Sequence, residues 1–173
     1  MRVLVACEFS GTVREAFAAL GHDAWSCDIR PTEREGNHTQ GDALAAMREP
    51  WDLVIAHPPC TYLSYVGMRH WHAPGRAEAR DDAMRFFMAC IEANAPRVCV
   101  ENPLGHPSKV DRRPDQTIHP YYFGDPFQKR TCLWLKGLPL LEPTYRTTPD
   151  LFAPTMEKPE PLYILQGPKG RGK

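Results

Sequence analysis

Cys60 is the residue of this sequence best placed to act as a nucleophile. It follows Pro58 and Pro59 directly, and two prolines restrict the backbone that presents its thiol. The prolines end the apolar run 51–56, which is typical of a buried strand. A thiol at a strand end can act as a nucleophile when its pKa is lowered. We therefore predict catalysis by Cys60, against the alternative of a small buried side chain.

Glu101 follows the next apolar run in the same way. The run 97–100 predicts a strand, which Pro103 breaks one residue after Asn102. Parallel strands end at the same edge of a sheet, so Glu101 is expected near Cys60. An acid beside a thiol suits attack on an aromatic ring whose nitrogen is protonated at the same time. The alternative is that Glu101 only pairs locally, although a buried acid needs a partner or a function.

The first part of the chain predicts a strand, a turn and a helix. An apolar run at 2–6 precedes the turn 8–11, and apolar residues at helical spacing follow it. Ligands of open α/β sheets bind near this first turn. Asp28, after a second strand, could bind a ribose hydroxyl, and Asp42 could accept from an adenine amino group. These features favour a nucleoside cofactor, although both acids could equally belong to ordinary turns and the turn lacks the full dinucleotide pattern of glycines.

Strands that alternate with helices predict an α/β fold with a mainly parallel sheet and helices on both faces. The segment 78–94 has the clearest helical periodicity, with an apolar face. The segment 30–40 is polar and is predicted to be a loop. The segment 61–75 is aromatic and has no period, so we predict a loop that faces the substrate.

The last third of the chain is rich in proline and is predicted to be mostly irregular. Strands are expected at 131–135 and 161–165. No repeat and no second domain is apparent. We therefore divide the chain into a core at 1–140 and a C-terminal extension at 141–173.

The order of these motifs resembles that of the cytosine-5 DNA methyltransferases. The most specific elements are Pro-Pro-Cys and Glu-Asn, each after a strand. Gln128-Lys129-Arg130 matches the start of the family's Gln-x-Arg-x-Arg motif, with Cys132 in place of the second arginine. The resemblance covers about residues 1–135 and implies a Rossmann-like methyltransferase fold.

The resemblance implies S-adenosylmethionine as the methyl donor and cytosine in DNA as the target. Cys60 would attack C6 of the ring, and Glu101 would protonate or hydrogen-bond N3. Arg130 would hold the base carbonyl or a phosphate. In a duplex, the base would have to be flipped out of the stack.

The resemblance also assigns binding residues. Those assigned to the cofactor are Phe9, Ser10, Gly11, Asp28, Asp42 and Pro59. Those assigned to the substrate are Asn102, Gln128 and Lys129. No metal is implied, since the histidines near Cys60 do not have a zinc spacing.

Composition limits the cellular setting. Lysine plus arginine equals aspartate plus glutamate at 21 each, which argues against duplex binding by charge alone but allows a local basic groove. The six cysteines include no C-x-x-C pair, which favours free thiols in a reducing cytoplasm. No apolar run reaches the roughly 18–20 residues that span a bilayer.

Several alternatives remain open. The segment after Arg130 has no room for the target-recognition domain of larger family members. The substrate could therefore be DNA methylated with low sequence specificity, single-stranded DNA, RNA or another pyrimidine, or the chain could need a protein partner or a homodimer. Pro-Pro also occurs in amino-methyltransferases, although Cys60 and Glu101 argue against that class. A non-catalytic binding module on the same fold is the remaining reading.

Overall fold

A computed structural model describes residues 1–125 and 129–144 of the chain. The strands are β1 Arg2–Ala6, β2 Asp23–Asp28, β3 His38–Gln40, β4 Leu53–Ala56, β5 Arg97–Asn102, β6 Gln116–Ile118 and β7 Thr131–Lys136. The helices are α1 Thr12–Ala19, α2 Ala43–Ala46, α3 Arg76–Ile91 and α4 Pro107–Val110, and short 3₁₀ turns lie at Tyr65–His70 and Pro120–Phe123.

Within the described residues, the strands form one sheet in the order β3-β2-β1-β4-β5-β7-β6. Strands β1 to β5 are parallel to one another, and β7 runs antiparallel between β5 and β6. The predicted α/β fold, with a mainly parallel sheet and helices on both faces, is confirmed. We call the edge where β1, β2, β4 and β5 end the carboxyl edge of the sheet.

Helices pack on both faces of the sheet because successive strand residues point to opposite sides. Leu4 belongs to the larger core cluster, together with Phe87 of α3. Val3 belongs to the other cluster, against which Phe17 of α1 packs. Phe87 meets Trp134 of β7 edge to face, with ring centroids 5.0 Å apart. Both faces of the sheet are thus covered, and a binding site is expected at its carboxyl edge.

Some boundaries differ from those predicted. The segment 30–40 was predicted to be a loop, but it ends in β3, which pairs with β2. The segment 61–75 contains a 3₁₀ turn, and His106 donates its backbone N–H to the Leu63 carbonyl at 2.7 Å. Strand β6 was not predicted, because its three residues carry too little pattern. The predicted strand at 161–165 and most of the predicted extension lie outside the described residues.

No helix in the described ranges is both long and apolar enough to cross a membrane.

Candidate active site

A cavity of about 720 Å³ opens at the carboxyl edge, beside the ends of β1 and β2. This volume lies in the range of small-molecule and cofactor sites. Its lining includes four residues that the sequence assigns to the cofactor, namely Phe9, Asp28, Asp42 and Pro59. The wall on the α3 side was not predicted and consists of Ala79, Asp82, Ala83 and Phe86. The cavity is largely apolar, with acidic groups from several elements.

Both predicted cofactor acids are fixed by the backbone. Asp28 Oδ1 accepts from the Arg30 N–H at 2.9 Å. Asp42 caps α2 by accepting from the Leu44 N–H at 2.9 Å. Each carboxyl group is therefore held in one orientation at the cavity wall. Two preoriented acids at neighbouring strand ends suit a ligand with hydroxyl or amino donors.

Glu8 occupies the turn between β1 and α1, where dinucleotide folds carry glycine. It is buried at 6% exposure. Its carboxylate accepts from the backbone N–H groups of Val13 at 2.6 Å and Arg14 at 3.3 Å. These N–H groups form the anion-binding end of the helix. Because Glu8 already supplies the negative charge, this turn disfavours a pyrophosphate at the position where dinucleotide cofactors place one.

Ser10 and Gly11 support this turn and are not part of the cavity lining. The Ser10 hydroxyl donates to Glu8 Oε1 at 3.3 Å. Gly11 adopts φ 72°, and a Cβ added there would lie 2.6 Å from Arg14 Nη2. The close approach that requires glycine at position 11 is therefore made by Arg14, and the cofactor contacts predicted for these two residues have no counterpart in the lining.

Arg14 is a buried residue that sequence analysis missed. Only 2% of it is exposed. Its guanidinium donates to Ser26 Oγ at 3.0 Å and Thr32 Oγ1 at 3.3 Å. It also donates to the carbonyl oxygens of Arg34 at 2.9 Å and Glu35 at 2.8 Å. Arg14 thus ties α1 to β2 and to the β2–β3 loop, whose Arg30 lines the cavity.

We expect Arg14→Lys to loosen this loop, because an ammonium group cannot reach all four acceptors. The free energy of unfolding should fall by about 3 kcal/mol, since buried carbonyl groups lose a charged partner. Affinity for S-adenosylmethionine, the cofactor predicted from the sequence, should fall with it. Urea unfolding and calorimetry measure the two effects. The exposed Arg48→Lys serves as the control, and equal stability of both variants would show that the Arg14 contacts contribute little.

Cys60 lies just beyond the cavity, one residue after Pro59. Its carbonyl accepts from the N–H groups of Leu63 at 3.0 Å and Ser64 at 2.9 Å, so it begins a tight turn. All six cysteines lie in the described residues, and Cys60 alone is exposed. Burial raises the pKa of Cys90 to about 12 and that of Cys99 to about 11. Among the thiols, Cys60 is therefore the most accessible, whereas Cys7, which lines the cavity, is partly buried and burial raises its pKa.

Asn102 braces the turn that presents Cys60. It is 1% exposed, and its Nδ2 donates to the Pro58 carbonyl at 2.7 Å. This contact gives Asn102 a supporting role in the turn, and the substrate contact assigned to it from the sequence stays a prediction. Its Oδ1 is buried and has no partner within the described residues.

Glu101 is paired with His57, which the sequence analysis did not connect. Ala56 of β4 is in register with Val100 of β5, so the next residues lie side by side. His57 Nδ1 is 3.3 Å from Glu101 Oε2, and both side chains are partly buried. Glu101 Oε1 and His57 Nε2 are buried and unpartnered among the described residues. Unpaired buried polar atoms are costly, so this pair is suited to meet a polar ligand.

The pKa of Glu101 lies below its ordinary value of 4.5. Burial acts to raise it, but the His57 hydrogen bond and the charge of Lys129 together outweigh burial. At neutral pH Glu101 is therefore a carboxylate. Its unpaired oxygen can accept a hydrogen bond from an amino group.

Lys129 and Arg130 reach the carboxyl edge through β7. Because β7 is antiparallel to β5, with Cys132 opposite Asn102, it starts where β5 ends. Both cations are exposed. The charge of Lys129 acts on Glu101, whereas that of Arg130 acts on His119. The charge that acts on the acid is thus that of Lys129. The role assigned to Arg130, binding of the base carbonyl or a phosphate, stays a prediction, and Gln128 lies outside the described residues.

His57→Asn should raise the pKa of Glu101 towards 4.5, because the strongest lowering contact is lost. Lys129→Met should raise it by a smaller amount, and Arg130→Met should leave it unchanged. Carbon-13 NMR titration of the glutamate carboxyl groups measures these shifts. An equal effect of both cation variants would contradict the assignment of Lys129 to Glu101.

No family model and no curated protein matches this chain. Similar solved structures include an E. coli protein provisionally described as a prophage-encoded DNA modification methyltransferase, at 15% identity and a TM-score of 0.48. That match covers 77% of this chain and 45% of the other. The 16S rRNA methylase RmtB matches at 16% identity and a TM-score of 0.35, over 78% and 54%. The chain spans about half the length of these structures.

Proposed function

We propose that the chain is an S-adenosylmethionine-dependent methyltransferase that methylates carbon 5 of cytosine in DNA through a covalent Cys60 adduct. The observation that carries this proposal is the exposed thiol of Cys60 at the carboxyl edge. The cofactor-sized cavity lies on one side of it. On the other side, near the end of the neighbouring strand β5, lies Glu101, whose Oε1 has no hydrogen-bond partner among the described residues.

The cavity fits the proposed methyl donor better than it fits a dinucleotide. Glu8 places a carboxylate at the helix end where a pyrophosphate would otherwise bind. S-adenosylmethionine has no phosphate and carries a cationic sulfonium. Asp28 and Asp42 would bind its ribose and adenine donors, and the apolar walls would hold its ring. When bound, the donor supplies an electrophilic methyl group.

In the proposed reaction, Cys60 is the nucleophile. The Cys60 thiolate attacks C6 of cytosine and forms a carbon–sulfur bond, which moves an electron pair towards C5 and N3. The donor, when bound, would supply the methyl group to C5; its sulfur–methyl bond would break and S-adenosylhomocysteine would leave. A base removes the proton from C5, and the returning electron pair expels Cys60 as a thiolate. The product is 5-methylcytosine, and the Cys60 thiolate is regenerated.

Glu101 orients the base and stabilises the charge that develops at N3 of cytosine. As a carboxylate, it accepts from the exocyclic amino group of cytosine through its unpaired Oε1. As density builds at N3 during attack by Cys60, N3 takes up a proton from water, and the Glu101 carboxylate accepts a hydrogen bond from the resulting N3–H. That proton returns to water when Cys60 leaves. His57 keeps the other oxygen, Oε2, in place during this step.

A labelled methyl donor tests the proposal directly. The chain is incubated with single-stranded and duplex DNA and RNA, and the nucleoside products are separated. We expect label in 5-methylcytosine from DNA. Label only in an N-methylated base would contradict the chemistry assigned to Cys60, and absence of donor binding by calorimetry would favour a non-catalytic module.

A further inference from the structure

We infer that His119, Tyr121 and Tyr122 form, together with Lys129 and Arg130, a stacking platform for single-stranded DNA next to the target base. The inference rests on the proposed function, since it takes a base in DNA as the substrate. It adds the strand state of that substrate and the surface that selects it. We call these five residues the aromatic platform.

The three rings form one compact group. The centroids of Tyr121 and Tyr122 are 4.7 Å apart, and that of His119 lies 5.3 and 5.5 Å from them. All three side chains are only half-buried. A rigid ring cluster that is open to solvent offers faces on which unstacked bases can lie.

Two cations accompany the rings. Lys129 and Arg130 are exposed, and within the residues the structure describes neither forms an ion pair. Register explains their position, because Ile118 of β6 lies opposite Thr131 of β7. His119 comes directly after Ile118, and Arg130 comes directly before Thr131. Both therefore lie at the same end of this strand pair. Aromatic faces with unpaired cations beside them are the combination that binds stacked bases and backbone phosphates together.

The topology aligns the platform with the candidate active site. Strands β4, β5, β7 and β6 are consecutive neighbours in the sheet. From one strand to the next, the carboxyl edge carries Cys60, Glu101, the two cations and finally the rings. The distance from β4 to β6 across the sheet is three strand spacings, or about 14 Å. A target base at Cys60 would thus leave its flanking nucleotides within reach of the platform.

This surface favours a single strand over a duplex. In a duplex the bases stack on one another, so their faces are not available to Tyr121 and Tyr122. A duplex binder depends mainly on many phosphate contacts, whereas this chain has a formal net charge of zero. A few local cations with aromatic rings suit an unpaired strand, where stacking contributes a large share of the affinity.

Fluorescence anisotropy with the full chain tests the inference without requiring methyl transfer. Probes are a labelled single-stranded oligodeoxynucleotide and the same sequence as a duplex. The single strand should bind more tightly than the duplex. Combining Tyr121→Leu with Tyr122→Leu should weaken single-strand binding on the order of tenfold. The corresponding double phenylalanine variant keeps both rings and should bind like the wild type.

Phe17→Leu is the matched control, because this ring packs beside His22 at the opposite edge of the sheet. Thermal unfolding confirms that each variant is folded. Duplex binding as tight as single-strand binding, or unchanged affinity of the leucine variant, would overturn the inference while leaving methyl transfer intact. Conversely, platform-dependent binding without any 5-methylcytosine would refute the proposed function and retain the platform.

Discussion

Cys60→Ser should abolish the covalent adduct that the wild-type chain forms with an oligodeoxynucleotide containing 5-fluorocytosine. Normally, loss of the proton from C5 releases the enzyme. Fluorine at C5 cannot leave in the same way, so the carbon–sulfur bond persists. Serine presents a much weaker nucleophile, since it is almost wholly protonated at neutral pH. We expect methyl transfer to fall by at least about a thousandfold. Denaturing electrophoresis and mass spectrometry detect the adduct, and label transfer gives the rate.

The other thiols are poorer nucleophiles than Cys60, since burial also raises the pKa of Cys7, which lines the cavity. Cys99 lies on β5 with its pKa raised by burial to about 11, and Cys90 is fully buried. Cys99→Ala is therefore the control that should keep full adduct formation. An adduct that survives Cys60→Ser would identify a different nucleophile, and its peptide mass would show which residue carries the base.

The position of Cys60 could be predicted from the sequence because the residues that determine it are its immediate neighbours in the chain. An apolar run followed by two prolines indicates a strand that must stop, and whatever follows lies at its carboxyl end. The same pattern predicts Glu101 at the carboxyl end of its strand, and it is the penultimate residue of β5. Asp28 and Asp42 also follow from the alternation of strands and helices. These residues line the cavity or the edge beside it because the fold is a parallel sheet.

Other contacts of the site join residues that are far apart in the sequence, and local sequence patterns do not predict them. His57 meets Glu101 only through the register of β4 and β5, which is set by pairing across 44 residues. Arg14 sits in a helix where an arginine usually faces water. The three-residue strand β6 is too short to show a period. The one available hint for Arg14 was glycine at positions 11 and 36, where any Cβ would press on its guanidinium.

Glu101→Gln should lower kcat by roughly 10²- to 10⁴-fold, because the neutral amide cannot stabilise the positive charge that develops when N3 is protonated. Donor affinity should stay unchanged, since Glu101 is not among the residues that line the cavity. Steady-state kinetics and calorimetry separate the two effects. The exposed Glu49→Gln is the matched control. Wild-type kcat in Glu101→Gln would remove the acid from the proposed chemistry.

The same variant carries a pH signature that follows from the pKa of Glu101. Because the folded-state pKa is below the ordinary 4.5, ionised Glu101 stabilises the fold above that pH, and this contribution is lost as the pH falls through the lowered value. Glutamine mimics the protonated acid. Glu101→Gln should therefore melt below the wild type at pH 7, with the gap closing below about pH 4.5. A gap that is constant with pH would mean that His57 and Lys129 do not favour the carboxylate.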